Sequence, residues 1–276
     1  MLTEETLMAF ARQATGLPES AFIGLSPLGG RGSDRTFFRL TWAAQNSAIL
    51  IHYDPLRIEN AYYGDIATFL NGIDVAVPKL MRHNAELCLM VLEDMGSTDL
   101  WTLRDRPKKI RIPLYEQTLA VVHKLHAFPV EAFPADRVRI MEGFGPHLYR
   151  WERDYFMENF VQSICGIKLK PEVAGELEAE LSNLAGRLAL TGPSLVHRDL
   201  QSQNVMIHDG KPFLIDFQGM RFGSPFYDLG SLLYDPYVPF SDDERTGLLA
   251  FYYYFSEKPV TWTAFQEHFY EASVQR

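Results

Sequence analysis

The residues of this chain with the most chemical potential lie in one stretch, Leu195 to Asp228. His197, Arg198 and Asp199 are followed by Asn204 five positions after the aspartate, and the apolar run Phe213-Leu214-Ile215 then delivers Asp216. Moving a phosphoryl group onto a hydroxyl needs a carboxylate that orients the hydroxyl and accepts its proton. It also needs oxygen ligands that hold Mg²⁺ against nucleotide phosphates. Asp199 suits the first role; Asn204 and Asp216 suit the second. Taken singly, Asp199 and Asn204 would also serve to cap or turn a loop, and Asp216 to end a strand. The joint spacing H-R-D-x-x-x-x-N followed by an aspartate favours the chemical reading.

Val205-Met206-Ile207 and Phe213-Leu214-Ile215 read as two short buried strands joined by a turn over 208–212, where Asp209-Gly210 favours a tight reversal. Such a hairpin would return Asn204 and Asp216 to the same end.

The stretch resembles the aminoglycoside phosphotransferase and choline kinase superfamily, which shares the protein-kinase fold. Asp216-Phe217-Gln218 stands where protein kinases have D-F-G. The continuation Gly223-Ser224-Pro225-Phe226-Tyr227-Asp228-Leu229-Gly230-Ser231-Leu232-Leu233 is similar to bacterial kinases acting on the anomeric hydroxyl of N-acetylmuramic acid and N-acetylglucosamine, with Ser224 inserted between glycine and proline. The resemblance implies an α+β, two-lobed, protein-kinase-like fold. A small antiparallel-sheet lobe over residues 1–95 would bind nucleotide, and a larger, mainly helical lobe over 96–276 would carry catalysis and the acceptor. It further implies ATP and Mg²⁺ as cofactors and an amino-sugar as acceptor. An aminoglycoside, choline or homoserine-type acceptor, or an inactive nucleotide-binding pseudokinase, are the alternatives on the same scaffold. By the same resemblance Asp228 would be the buried aspartate that braces the catalytic loop, or on a plainer reading a helix N-cap. Relatives tend to continue beyond the position of Arg276, which suggests a truncated form.

The first half must supply the nucleotide site. Gly29, Gly30, Gly32 and Ser33 lie between two candidate strands, in a loop whose backbone N–H groups could approach phosphates. The next strand, Ser47 to Pro55, places His52 where kinases carry a phosphate-binding lysine, and no lysine occurs before Lys79. Arg31, Arg35, Arg39 and Arg57 are the candidate substitutes. Apolar residues from Arg57 to Gly72 recur at helical spacing, with Glu59 as the first acid. Val75 to Pro78 and Leu87 to Leu92 are expected to complete the sheet, and Glu93-Asp94-Met95-Gly96 resembles the hinge that offers backbone groups to adenine, which makes Glu93 and Met95 nucleotide-binding candidates.

In the second half, helical periodicity runs from Tyr115 to His126, and His123 and His126 share a face at a spacing that could suit a metal but more simply packs. An aromatic-rich helix over 149–160, including Trp151 and Tyr155, falls where the superfamily builds its acceptor wall. Another helix is expected over 172–190, and Ser241-Asp242-Asp243-Glu244 has capping-box spacing.

Composition sets the outer bounds. The 276 residues are 47% apolar and 22% charged, ordinary for a folded globular chain that can bury a large core. The net charge of −9, with no dense basic run beyond Lys108 to Arg111, disfavours a nucleic-acid partner. Cys88 and Cys165, far apart, indicate neither a disulfide framework nor a zinc site. The acidic N-terminus and the absence of 18 continuous apolar residues argue against a signal peptide or membrane span, so a cytoplasmic location is expected. Oligomeric state is not legible.

Overall fold

The structure is a computed structural model that describes residues 3–29, 35–43, 45–256 and 260–276. In chain order the elements begin with α1 (Glu4–Thr15), β1 (Gly24–Leu28), β2 (Thr36–Trp42), β3 (Asn46–His52), α2 (Ile58–Gly72), β4 (Leu80–Asn84) and β5 (Leu89–Glu93). They continue with α3 (Lys108–His126), α4 (Pro146–Phe156), α5 (Pro171–Leu188), β6 (Ser194–Val196), β7 (Val205–His208), β8 (Lys211–Leu214), β9 (Arg221–Gly223), α6 (Pro225–Leu233), α7 (Asp242–Phe255) and α8 (Trp262–Gln275). No helix among the described residues is long and apolar enough to cross a membrane.

The chain divides into two compact units. The first comprises residues up to Thr98 together with Pro134–Ile140 and Met206–Gln218, and the second holds Asp99–Phe133, Met141–Val205 and Gly219–Arg276. A single boundary at residue 96 therefore does not describe the division. The hairpin that ends in Asp216 joins the first unit because backbone bonds fasten it there, Ile207 N to Thr98 O at 2.8 Å and Leu214 N to Ala76 O at 2.8 Å.

The first unit is built on an antiparallel sheet of order β1-β2-β3-β5-β4. Helix α1 starts where the Thr3 side chain accepts from the Thr6 amide and stops at Gly16, whose φ of 69° suits glycine. Its Leu7, Phe10 and Ala11 pack with Ile23, Leu40, Ala48, Leu50, Leu89 and Val91. Strand alternation therefore sorts the sheet: Leu40, Ala48 and Leu50 turn toward α1, while Phe37, Arg39, Ile49 and Ile51 turn away. One expected strand is displaced. Val75 and Val77 are buried at 1% and 2% exposure, but β4 is the mixed sequence Leu80 to Asn84. The 75–78 segment packs with the core and offers Ala76 O to the hairpin instead of joining the ladder.

In the second unit β6 pairs antiparallel with β9, Val196 opposite Arg221, and α3 and α6 pack against β6. Residues Phe226 to Leu233 of α6 are all buried. A Cβ on Gly230 would stand 3.1 Å from the Ser273 Cα, so glycine permits the close approach of α8. The capping box at α7 forms as its spacing implied, with Ser241 and Glu244 bonded reciprocally. Two helices differ from expectation. Helix α3 starts at Lys108 and contains Pro113, an early start held by the buried pair Arg111–Glu244 at 2.6 Å. The aromatic helix ends at Phe156 and continues as a π-helical turn over Met157–Gln162.

Candidate active site

The second unit holds the H-R-D loop. It leaves β6 at Val196, and the next residue, His197, is fully buried. Arg198 adopts φ 79°, a left-handed conformation costly for a side chain of this size. The strain is met by Asp228, itself fully buried, whose carboxylate accepts the His197 amide at 2.7 Å and the Arg198 amide at 2.9 Å. The carboxylate also takes His126 Nε2 at 3.0 Å, and His126 Nδ1 lies 2.8 Å from the Tyr252 hydroxyl. In its neutral form His126 thus carries its proton on Nε2 and accepts from Tyr252. This removes His126 from any metal role; His123 packs edge-on against Tyr252 and Phe255. Asp228 lies inside the first turn of α6, whose N-cap is Ser224, so it is a loop brace and not a cap.

Asp199 follows, with its carboxylate bound by Arg198 Nη1 at 2.6 Å and Arg276 Nη2 at 3.3 Å. The Asn204 amide nitrogen donates to the Asp199 carbonyl at 2.8 Å, closing the loop and leaving Oδ1 as the atom with cation-binding chemistry. A second aspartate, Asp235, accepts the Ser202 amide at 2.7 Å from within the buried interior. Nearby, the Tyr227 hydroxyl donates to Glu152 at 2.8 Å. Burial holds the Glu152 carboxyl above its ordinary value, and the Tyr227 bond and Arg198, Arg276 and Arg221 only moderate this. Burial also opposes the Arg198 cation, but Asp199, Tyr227 and Glu152 outweigh it and raise its pKa. Asp235, Glu152 and Arg276 were not singled out from sequence, since each stands outside the motif and signals nothing until the chain folds.

The first unit holds the hairpin and its aspartate. Asp209 and Gly210 have φ of 51° and 73°, so the β7–β8 turn is a two-residue reversal, tighter than the five-residue turn expected. Asp216 stands at φ 65°. Its carboxylate pairs with Arg35 and accepts from Gln218 Nε2 at 3.0 Å, while Arg35 Nη1 donates to Gln218 Oε1 at 3.1 Å. Phe217 packs against Tyr63 of α2 in a tilted pair with ring centroids 4.5 Å apart.

The remaining candidates of this unit separate. Arg39 is committed to Asp94, Nε to Oδ2 at 2.7 Å, and to the Gly96 carbonyl at 3.0 Å. Glu93 ends β5 and its amide donates to Lys79 O at 2.9 Å; Met95 is buried. Gly29 is exposed, with no atom of the described residues within 4 Å of where a Cβ would stand. Gly30, Gly32 and Ser33, with Arg31, lie outside the described residues. His52 is placed by strand parity. It pairs with Thr36 in the series Leu40–Ala48, Phe38–Leu50, Thr36–His52, which turns toward α1, whereas Arg35, Phe37 and Arg39 alternate onto the other face. The lysine-like position on β3 thus does not carry its imidazole toward Asp216.

Taken each within its own unit, Asn204 Oδ1 and the Asp216 carboxylate are oxygen donors of the kind Mg²⁺ takes, a hard cation that keeps few protein ligands and draws the rest from phosphate and water. No group of three or more His, Cys, Asp or Glu that could hold a metal occurs among the described residues.

A strained aspartate loop braced by a buried acid, and a separate hairpin ending in D-F-Q, are the parts of a protein-kinase-like phosphotransferase scaffold. The chain belongs to the phosphotransferase enzyme family, whose sequence profile matches residues 24–267. It is similar to the N-acetylmuramate/N-acetylglucosamine kinase of Neisseria meningitidis serogroup B, 24% identical over 211 residues, which are 76% of this chain and 60% of that enzyme. The kinase of the same name from Pseudomonas aeruginosa is 25% identical over 252 residues, 90% of this chain and 70% of that one. This chain thus spans three fifths to seven tenths of the length of these relatives. Among solved structures, the streptomycin–ATP–APH(2″)-IIa ternary complex superposes with a TM-score of 0.64 at 13% identity, over 99% of this chain and 87% of that one. That likeness confirms the two-lobed α+β kinase-like fold.

Proposed function

We propose that the protein is an ATP- and Mg²⁺-dependent kinase of a small hydroxylated acceptor, and that the acceptor is an amino-sugar phosphorylated at its anomeric oxygen, N-acetylmuramic acid or N-acetylglucosamine. The observation that carries the catalytic part is the loop at Asp199. A surface aspartate does not need a fully buried carboxylate to hold the two preceding amides, and a residue at φ 79° persists only where its surroundings enforce it. The names of the similar enzymes support the acceptor.

On this reading Asp199 orients the acceptor hydroxyl and takes its proton as the oxygen bonds to the γ-phosphorus and ADP leaves. Asn204 and Asp216 are the oxygen donors that would hold Mg²⁺, which would supply positive charge against the phosphates. Backbone groups of the Glu93–Met95 segment contact the base, and the glycine-rich sequence from Gly29 would supply backbone N–H groups for the phosphates. Product leaves to a soluble sugar-recycling route in the cytoplasm.

The test is an acceptor screen with purified protein, following ADP release and locating the new phosphate by NMR. Phosphate on the C1 oxygen of either sugar is expected. Turnover of kanamycin or choline with neither sugar accepted refutes the acceptor assignment, and no turnover with any acceptor refutes catalysis.

A further inference from the structure

We infer that Arg35 is the side chain that faces the nucleotide phosphates in place of the missing β3 lysine, and that Gln218 aims it. The inference rests on the reading of Asp216 as the metal-holding carboxylate. It assigns to this chain a phosphate-binding residue at the start of β2, on a different strand from the usual lysine.

Three observations point to it. The first is elimination among the described residues that precede Lys79. Arg39 is spent on Asp94 and Gly96, Arg57 sits exposed at the N-cap of α2, and Arg12 lies in the last turn of α1. His52 belongs to the sheet face that turns toward α1. The second is placement. The Arg35 side chain is only 10% exposed, pairs with Asp216, and continues the Phe37–Arg39 face, with its guanidinium 5.5 Å from the Phe37 ring centroid. A phosphate-binding lysine must work beside the metal-holding aspartate, and Arg35 is a described cation that stands there. The third is the closed triangle of Arg35, Gln218 and Asp216, in which Gln218 donates to the carboxylate and accepts from the guanidinium.

The triangle makes sense of two departures from the kinase pattern at once. An arginine needs fixing because its stem is long, and its planar fork binds phosphate oxygens in pairs only when its plane is set. A glycine after Asp-Phe could not set it; the Gln218 amide, with one donor and one acceptor engaged, does. Positive charge at this point also offsets Asp216 before metal arrives.

The experiment is calorimetric binding of Mg·ATP and of adenosine to the full chain, as wild type, Arg35→Gln, Arg35→Lys and Gln218→Ala. Arg35→Gln is expected to weaken Mg·ATP at least tenfold and adenosine less than twofold. Arg35→Lys should recover part of that loss because the charge remains, and Gln218→Ala should lose about threefold for Mg·ATP alone. Equal Mg·ATP affinity in wild type and Arg35→Gln overturns the inference, as does an equal loss for adenosine. Should Arg35→Gln prove unfolded by circular dichroism, Arg35→Lys decides: Mg·ATP binding at wild-type strength overturns the assignment, and a selective loss supports it. If wild type binds no Mg·ATP, the nucleotide reading itself fails, and this inference with it.

Discussion

Replacing Asp228 by asparagine changes one atom in the interior, and the structure fixes what that atom must do. The carboxylate Oδ2 serves His197 N and His126 Nε2, while Oδ1 serves Arg198 N alone. The asparagine will therefore keep its oxygen at the doubly used position and turn its NH₂ toward the Arg198 amide. Donor then faces donor, and a buried N–H loses a charge-assisted bond, a cost of about 1.5–3 kcal/mol. The other two bonds persist but are now made to a neutral acceptor. Arg198 meanwhile stands at φ 79°, where a non-glycine residue stores about 1–3 kcal/mol. Its relaxation returns part of that strain while moving the next residue, Asp199. A net destabilisation of about 2–4 kcal/mol follows, or roughly 5–12 °C in Tm for a chain of this size. A carboxylate displaced by even 1 Å costs on the order of a hundredfold in kcat. Thermal unfolding and steady-state kinetics of Asp228→Asn test both halves. A Tm within 1 °C of wild type together with kcat within twofold would refute the bracing role.

Asp199→Asn is expected to fold and to bind nucleotide at wild-type strength yet lose at least a hundredfold in kcat, because the amide cannot accept the acceptor's proton; half of wild-type turnover would remove Asp199 from the role of base. His52→Ala should change kcat/KM by less than about twofold, because the imidazole belongs to the α1 face of the sheet. A tenfold loss would mean that this strand end still serves the phosphates. Glu152 sets a pH dependence. Its folded pKa lies above the ordinary 4.5, so between those two values the folded chain holds a proton that the unfolded chain has released, and its contribution to stability falls as pH rises. Urea unfolding across pH should therefore show Glu152→Gln gaining on wild type from pH 4.5 upward until the folded carboxyl is ionised. A pH-independent offset between the two proteins would count against a raised pKa.

The local geometry of the H-R-D stretch and of the α7 cap was legible because each signal is local. The Asp209-Gly210 turn, the Asp199–Asn204 spacing and the Ser241–Glu244 cap specify geometry within a few residues. What was not legible depends on partners distant in sequence. The start of α3 was missed because Pro113 argues against helix locally, while the Arg111–Glu244 pair that holds that turn spans 133 residues. Strand β4 was misplaced because Val75 and Val77 have the apolar alternation of a strand, whereas Leu80 to Asn84 make the ladder bonds. His52 shows the limit of motif transfer. Its parity with Ala48 and Leu50 was readable, but which face α1 would cover was not. Arg35 stood among four candidate arginines that sequence could not rank.

The hairpin β7–β8 belongs with the first unit although it follows Thr98 by more than a hundred residues, and this has a consequence for synthesis. A ribosome that has released the whole five-stranded sheet has not yet made the segment that bonds to Ala76 and Thr98. At bacterial to eukaryotic elongation rates, the interval is on the order of 6–24 s. Throughout it Arg35 lacks its carboxylate, and the Tyr63 ring lacks Phe217. The nascent sheet thus waits with an apolar face and a buried-site cation uncovered, a period in which a chaperone would find its binding surface and after which, once Gln218 emerges, it would lose it.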